Sequence, residues 1–337
     1  MNMIHTNYPL VELHRHMDGS VRLETILDIG LKHNLPLPAD TLEGLRPYVQ
    51  VTEAKPSILD FFEKFEWLTA VMLDEESCRR IAYENVEDAK NEGLDYIELR
   101  FSPWFMAEKN HLNPEGVVAA VVDGVQAGIR DFGLPVNLIG IISRTYGPEV
   151  GMQELDALLT QKEAIIALDL AGDEIHYPGE LFIEHFRKAR DAGWHSCPHA
   201  GEAAGPESIW QAINELGAER IGHGVAAAQD VVLMDYLAEH GIGVETSLTS
   251  NVQTSAVPSY ADHPIKHFLQ AGIRDTINTD DPGISAVTIS HEYNQAAVKA
   301  GLSEEEIFQA QKNALEVAFL SQSEKEELVQ KKAAADS

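Results

Sequence analysis

The 337-residue chain has only two cysteines, Cys78 and Cys197. Two cysteines cannot build a disulfide framework, and their scarcity fits a reducing compartment. Positive charge is also short: 25 basic residues against 54 acidic ones give a net charge of −29. Such a chain repels a phosphate backbone and an anionic bilayer, so neither nucleic acid nor a membrane is expected as a partner. No apolar run approaches the roughly 20 residues needed to span a bilayer. The opening "MNMIHTNYPL" lacks a basic stretch followed by an apolar core, so no signal peptide is expected, and a soluble, cytoplasmic protein is. A G-x-G-x-x-G turn after an early strand is missing too, which argues against an open doubly wound sheet.

What the chain does have is apolar content, 44%, enough for a sizeable core. Short β-rich runs recur: "YPLVEL" (8–13), "LDYIELRF" (94–101), "VNLIGIIS" (136–143), "AIIALDLA" (164–171), "HSCPH" (195–199), "ERIGHG" (219–224), "GIGVET" (241–246) and "DTINTD" (275–280). Near-continuous apolar runs are what buried parallel strands require. Amphipathic stretches such as "PEGVVAAVVDGVQAGIRDFG" and "AQDVVLMDYLAEHG" lie between them, each ending in a glycine stop. Eight such alternations predict a (β/α)8 TIM barrel in the α/β class. A single domain over 1–337 is expected, with a helical insertion after the first strand at about 20–92 and a fraying tail at about 325–337. Within the insertion, "SILDFFEKFEWL" (57–68) puts Phe61, Phe62 and Phe65 on one helical face. That face suits ordinary packing on the barrel, a lid over its mouth, or both.

In such a barrel the active site lies at the C-terminal ends of the strands. His14 and His16 fall there after the first run, and period two aims them the same way with Arg15 opposed. The fifth run brings His199 and Glu202, the sixth His223, the eighth Asp280 and Asp281. Arg100, Ser143 and the Gly172-Asp173-Glu174 stretch occupy the remaining ends. Each piece alone has a plain alternative: a satisfied core histidine, a helix start, or an Asp-Pro-Gly turn. Their coincidence at four strand ends favours a metal site, and three histidines with one aspartate suit zinc with room for a water. Pro198 inside a predicted central strand removes a ladder N–H and implies a bulge there. Cys197, two before His199, reads as a small buried thiol.

These residues carry a resemblance. "LVELHRHMDGS", "YIELRFSP", "ALDLAGDE", "HAGEAAGPESIW", "RIGHG", "SLTSN" and "INTDDPG", in that order over nearly the whole chain, resemble the adenosine deaminase family of zinc-dependent barrels. The resemblance implies one Zn2+ per chain on His14, His16, His199 and Asp280. It implies that Glu202 protonates N1 of the purine and that His223 orients the attacking water and can take its proton. Asp281 would meet N7, the Gly172 N–H would meet N3, Asp18 would reach the ribose 5′-hydroxyl, and His16 would border the substrate. Phe61, Phe62 and Phe65 match an apolar lid. The implied activity is hydrolysis of adenosine, and of 2′-deoxyadenosine, to inosine or deoxyinosine and ammonia, in purine salvage.

The alternative within the family is adenine deamination, but Asp18 offers a ribose contact. An AMP-specific enzyme would be longer and would show a basic phosphate pocket. Relatives that use a carbamylated lysine are unsupported, because no strand end carries lysine. A binding protein without activity would have lost Glu202 or a ligand. The expected partner is a purine nucleoside, and no motif marks a particular oligomeric state.

Overall fold

The computed structural model describes residues 2–51 and 61–335. Among these, short strands pair only in parallel and form two sheets. The first holds β1 (Val11–His16), β2 (Tyr96–Phe101), β3 (Val136–Ser143), β4 (Ile165–Ala171) and β5 (His195–Ser196). The second holds β6 (His199–Ala200), β7 (Arg220–His223), β8 (Gly243–Thr246) and β9 (Arg274–Ile277). The sheets meet along both seams. At one seam β5 and β6 are two halves of a single strand position, split at Cys197-Pro198, because Pro198 has no N–H for the ladder. The neighbours still bond across the split: Cys197 N donates to Leu168 O (3.0 Å) and Gly222 N to Pro198 O (2.9 Å). At the other seam Arg15 bridges in parallel to Asp280, with Asp280 N donating to His14 O (2.9 Å) and His16 N to Asp280 O (2.8 Å). Eight strand positions with helices between them make this the (β/α)8 fold that the alternation predicts.

The first strand begins and ends three residues later than the run 8–13, so His14 and His16 are its last turn-facing residues rather than loop residues beyond it. A register shift lies between Glu12 and Arg15. Arg15 pairs with Glu12 (2.7 Å) and Glu92 (2.9 Å), while His14 and His16 converge elsewhere. The helices Pro114–Phe132 and Val231–His240 begin at side-chain caps from Asn113 and Asp230 and stop at Gly133 and Gly241. Cys197 is fully buried and packs with Ile139 and Ala167. Among the described residues no helix is long and apolar enough to cross a membrane.

The connection from β1 to β2 carries helices Leu23–Lys32, Leu42–Val49, Glu66–Ala70 and Glu75–Asn91, with a 3-10 turn at Glu63–Phe65. Residues 57–60 of the expected aromatic helix lie outside the described residues. The last of these helices packs along Pro114–Phe132 as part of the outer ring.

Where a fraying tail is expected, the chain forms the helix Gln322–Ala335. Its apolar residues explain this: Leu328 is buried with Val11, Leu13, Tyr96 and Leu315, and Lys332 pairs with Asp95 (2.8 Å). The terminal helix therefore covers one end of β1. Leu328→Ala should lower the unfolding free energy by about 2–3 kcal/mol, the low end for a buried leucine near a chain end. Urea unfolding followed by circular dichroism checks this, and a change near zero would mean that the helix contributes nothing to the fold.

Candidate active site

The strand ends bring the expected polar residues to one place. His14 and His16 come from β1, His199 from β6, His223 from β7, and Asp280 and Asp281 from the turn after β9. A cavity of about 200 Å³ opens there. It is lined by His16, Asp18, Gly172, His199, Glu202, His223, Asp280 and Asp281, and on one side by Phe61, Phe62, Phe65 and Phe105. His14 lies beneath it, fully buried.

Four side-chain atoms meet at the floor. His16 Nε2 is 3.3 Å from His14 Nε2, 3.3 Å from His199 Nε2 and 3.2 Å from Asp280 Oδ1, and His14 Nε2 is 3.3 Å from Asp280 Oδ1. A tetrahedral ion with ligands at 2.0–2.1 Å needs ligand–ligand edges of about 3.4 Å. The remaining ring nitrogens explain why the imidazoles face one another. His14 Nδ1 donates to Glu245 Oε2 (2.8 Å) and His199 Nδ1 to Asp169 Oδ1 (2.8 Å), which leaves both Nε2 atoms with lone pairs turned inward. Lone pairs at this spacing repel unless a cation sits between them. Without one, burial pulls the His16 imidazole down, yet Asp281, Asp280 and Asp18 outweigh it and raise it to about 9. The pocket is built for positive charge, and the residues fit a metal ion.

A second set of four overlaps the first. His14, His199, His223 and Asp280 each offer an atom within 4.8 Å of the others. His223 Nε2, however, lies 3.8 Å from Asp280 Oδ2, the oxygen turned away from His14 and His16. That oxygen accepts instead from Ser250 Oγ (2.6 Å). The set containing His16 is the tighter one.

One guanidinium sets the orientation of the floor. Arg100 donates to Asp169 Oδ2 (3.0 Å), Glu245 Oε2 (2.6 Å) and Leu13 O (2.6 Å), so it ties together the two carboxylates that hold His199 and His14. Arg220 binds the other oxygen of Glu245 (2.7 Å) and also pairs with Glu98. Burial alone would raise the Glu245 and Asp169 carboxyls. Arg100 and Arg220 hold Glu245 well below the usual carboxylate range, and His199 and Arg100 do the same for Asp169.

The carboxyls above the floor behave oppositely. Burial, then Asp280 and Glu174, push Glu202 up to about 8. Its Oε2 is 3.6 Å from His223 Nε2. Glu174 shapes the turn that carries Glu202: its oxygens accept from the N–H groups of Gly201 (2.7 Å), Glu202 (3.2 Å), Ala203 (2.8 Å) and Ala204 (3.0 Å). Asp281 is raised well above its ordinary range by burial and by the neighbouring Asp280. Its Oδ1 is buried without a hydrogen-bond partner among the described residues. Gly19 makes room for it, since a Cβ there would come 1.7 Å from Asp281 Oδ1. Burial raises the Asp18 carboxyl as well, and its Oδ2 accepts from Ser102 N (3.1 Å). Gly172 has φ 120°, and a Cβ there would come 2.5 Å from Thr145 Oγ1, so the position needs glycine.

The aromatic face is both wall and core. Phe61 and Phe65 are buried within the main apolar cluster, and Phe65 meets Phe105 edge to face at 5.4 Å. Reading the strand ends alone misses Glu245 and Asp169, and leaves Arg100 and Glu174 without a role. The available signal was a lone acid inside an apolar strand, as in "GIGVET" and "AIIALDLA". Burial of such a charge demands a partner.

Comparison with known proteins agrees with this geometry. Residues 9–335 match the family model described as adenosine deaminase. The chain is 60% identical over 326 residues to an adenosine deaminase of Edwardsiella ictaluri, covering 97% of this chain and 98% of that one. It is 59% identical over 331 residues to an adenosine deaminase of Vibrio cholerae, covering 98% and 99%. Among solved structures it resembles an adenine deaminase from Arthrobacter aurescens, with a TM-score of 0.89, 25% identity, and 98% and 99% coverage.

Replacing Arg100 by Met should leave Asp169 and Glu245 short of a partner in a dry interior. The expected cost is about 3–5 kcal/mol of stability. Metal affinity should fall by about 10–100-fold, as when other outer-shell partners are lost. Chemical denaturation and metal titration of the stripped protein read the two effects separately. Both carboxylates lie below their unfolded values, so the stability they confer is fully present above the ordinary carboxylate range and is lost as pH falls from there to their depressed values. Arg100→Met should flatten this acid limb.

Proposed function

The chain belongs to the adenosine deaminase family, and we propose how the residues at its strand ends carry out the reaction. The protein is a hydrolase acting on C–N bonds and deaminates adenosine to inosine, with release of ammonia. The proposal assigns one zinc ion to His14, His16, His199 and Asp280. Zinc in that set would supply the missing nucleophile, hydroxide at neutral pH, by lowering the pKa of water to about 7.

The rest falls to the chain's own groups. Asp18 holds the ribose 5′-hydroxyl, the Gly172 N–H meets N3, and protonated Asp281 donates to N7. Attack at C6 breaks the aromatic ring, so N1 must gain a proton as C6 becomes tetrahedral. Glu202 supplies that proton, and His223 orients the attacking oxygen. The C–N bond then breaks as the C6 hydroxyl gives up its proton and the amino group gains one, so ammonia leaves and C6 keeps the oxygen as a carbonyl. Phe61, Phe62 and Phe65 form the apolar lid, and His16 borders the purine. What supports this division of roles is the opposite shift of neighbours: burial raises both carboxyls, but His223, His14 and His16 hold Asp280 well below the usual carboxylate range, while Asp280 pushes Asp281 further above it.

The same roles are proposed for 2′-deoxyadenosine, which would give deoxyinosine. The proposed setting is purine salvage by a single-domain cytoplasmic enzyme that takes small nucleosides rather than nucleic acid or membrane. A second reading, adenine as substrate, has the Arthrobacter likeness in its favour at 25% identity, against 60% for the adenosine deaminase of Edwardsiella ictaluri. Asp18 in the cavity wall favours the nucleoside. Ammonia release from adenosine should far exceed that from free adenine, and the reverse ratio would overturn the choice.

Glu202→Gln should retain one metal per chain and lose on the order of a hundredfold or more in kcat, since general acid catalysis typically contributes that much. The wild-type rate should decline as pH rises past the value at which Glu202 loses its proton, about 8 or below once a cation is bound. Asp280→Ala should lose tight zinc binding, whereas Asp281→Ala should keep zinc and bind purine poorly. Atomic absorption on both variants, with an inhibitor-binding titration, decides this. Equal zinc loss in both would mean that the adjacent aspartates act as one ligand pair.

A further inference from the structure

The "SLTSN" stretch ends at Asn251, and no step above uses it. Its side chain is fully buried between two histidines. Asn251 Nδ2 is 2.9 Å from His223 Nδ1, and Asn251 Oδ1 is 3.1 Å from His263 Nε2. Beyond His263 the chain of contacts ends on backbone, where Ile265 N donates to His263 Nδ1 (3.1 Å).

That last contact sets all the others. A backbone N–H can only donate, so His263 Nδ1 presents its lone pair. His263 is buried, and burial followed by the nearby His223 pulls it down to about 3, so the ring is neutral with its one proton on Nε2. His263 Nε2 then donates, and the Asn251 atom facing it must be the carbonyl oxygen. The amide NH2 therefore faces His223 and donates to its Nδ1. A neutral imidazole that accepts at Nδ1 carries its proton on Nε2.

We infer that His263 and Asn251 are positioning residues, which through the Ile265 N–H keep the proton of neutral His223 on Nε2, the nitrogen facing Glu202 and Asp280. Two consequences follow. A protonated Nε2 has no lone pair for a metal, so His223 cannot replace His16 in the ligand set, although both sets fit by distance. His223 also meets the attacking oxygen as a hydrogen-bond donor that orients it, and another group must take the proton from the water. Only the effect on turnover rests on the deaminase reading; the proton position is measurable without substrate.

The test uses the full-length zinc-loaded protein labelled with 15N-histidine, with His223→Ala to assign the ring signals. Long-range 1H–15N correlation should give His223 the pattern of an Nε2-protonated ring, and an Nδ1-protonated wild type would overturn the inference outright. Asn251→Asp places an acceptor opposite Nδ1 and should transfer the proton there. The expected result is a switched tautomer pattern, with kcat reduced on the order of a hundredfold and KM for adenosine changed only a few-fold. His263→Gln keeps a donor for Asn251 and should preserve the tautomer and most of kcat, whereas His263→Leu should lose both. An unchanged His223 pattern in Asn251→Asp, or in His263→Leu, would reject the relay. If the variants fail to fold, the wild-type spectrum alone decides.

Discussion

The orientation of two of the cavity-floor histidines depends on the bonds that Arg100 makes inside the barrel. Two histidines can present lone pairs to one point only if their other nitrogens are held, and Glu245 and Asp169 hold them. Those carboxylates would rotate or protonate in a dry interior without a counter-charge. Arg100 fixes both at once with its planar fork, and Arg220 takes the free oxygen of Glu245. A lysine in place of Arg100 could not span the two acids with fixed geometry. Buried ion pairs of this kind contribute little net stability compared with apolar packing, so their presence reads as orientation rather than reinforcement.

The same economy of placement explains the strain at the mouth. His223 and Asp280 both adopt left-handed backbone, with φ of 62° and 66°, although neither is glycine. Each such residue costs on the order of 1–3 kcal/mol and persists only where the surroundings over-determine it. Here neighbouring strands supply the constraint: Gly224 N donates to Ala200 O (3.1 Å) and Asp280 N to His14 O (2.9 Å). The left-handed turn lets Asp280 face the histidines while the next residue, Asp281, faces the cavity. One residue of separation thus puts two carboxyls in environments that shift them in opposite directions.

Much of the architecture was legible because it depends on local pattern. Buried parallel strands leave apolar runs, and the runs at 94–101, 136–143 and 164–171 match β2, β3 and β4 closely. Pro198 marked the seam at which the sheet divides, since a missing N–H is a property of the residue itself. The helix Gln322–Ala335 was not legible. Its sequence is charged and weakly patterned, and its order comes from Leu328 seated against strands more than 200 residues away. The lid face fell between the two: the spacing of Phe61 and Phe65 is visible in sequence, but that the same rings serve as core and cavity wall is a matter of what packs behind them.

For this protein the sequence alone determined which chemistry was available. Imidazoles two apart on a strand must point together, and acids and histidines at strand ends must share the barrel mouth. The tertiary structure decided which nitrogen of each ring is free and in which direction each carboxyl is shifted. Those properties depend on partners remote in sequence: Glu245 for His14, Asp169 for His199, Asn251 for His223 and Asp280 beside Asp281. A proton's position is set by field and desolvation at a few ångströms, and no residue carries that information before the strands bring its neighbours to it.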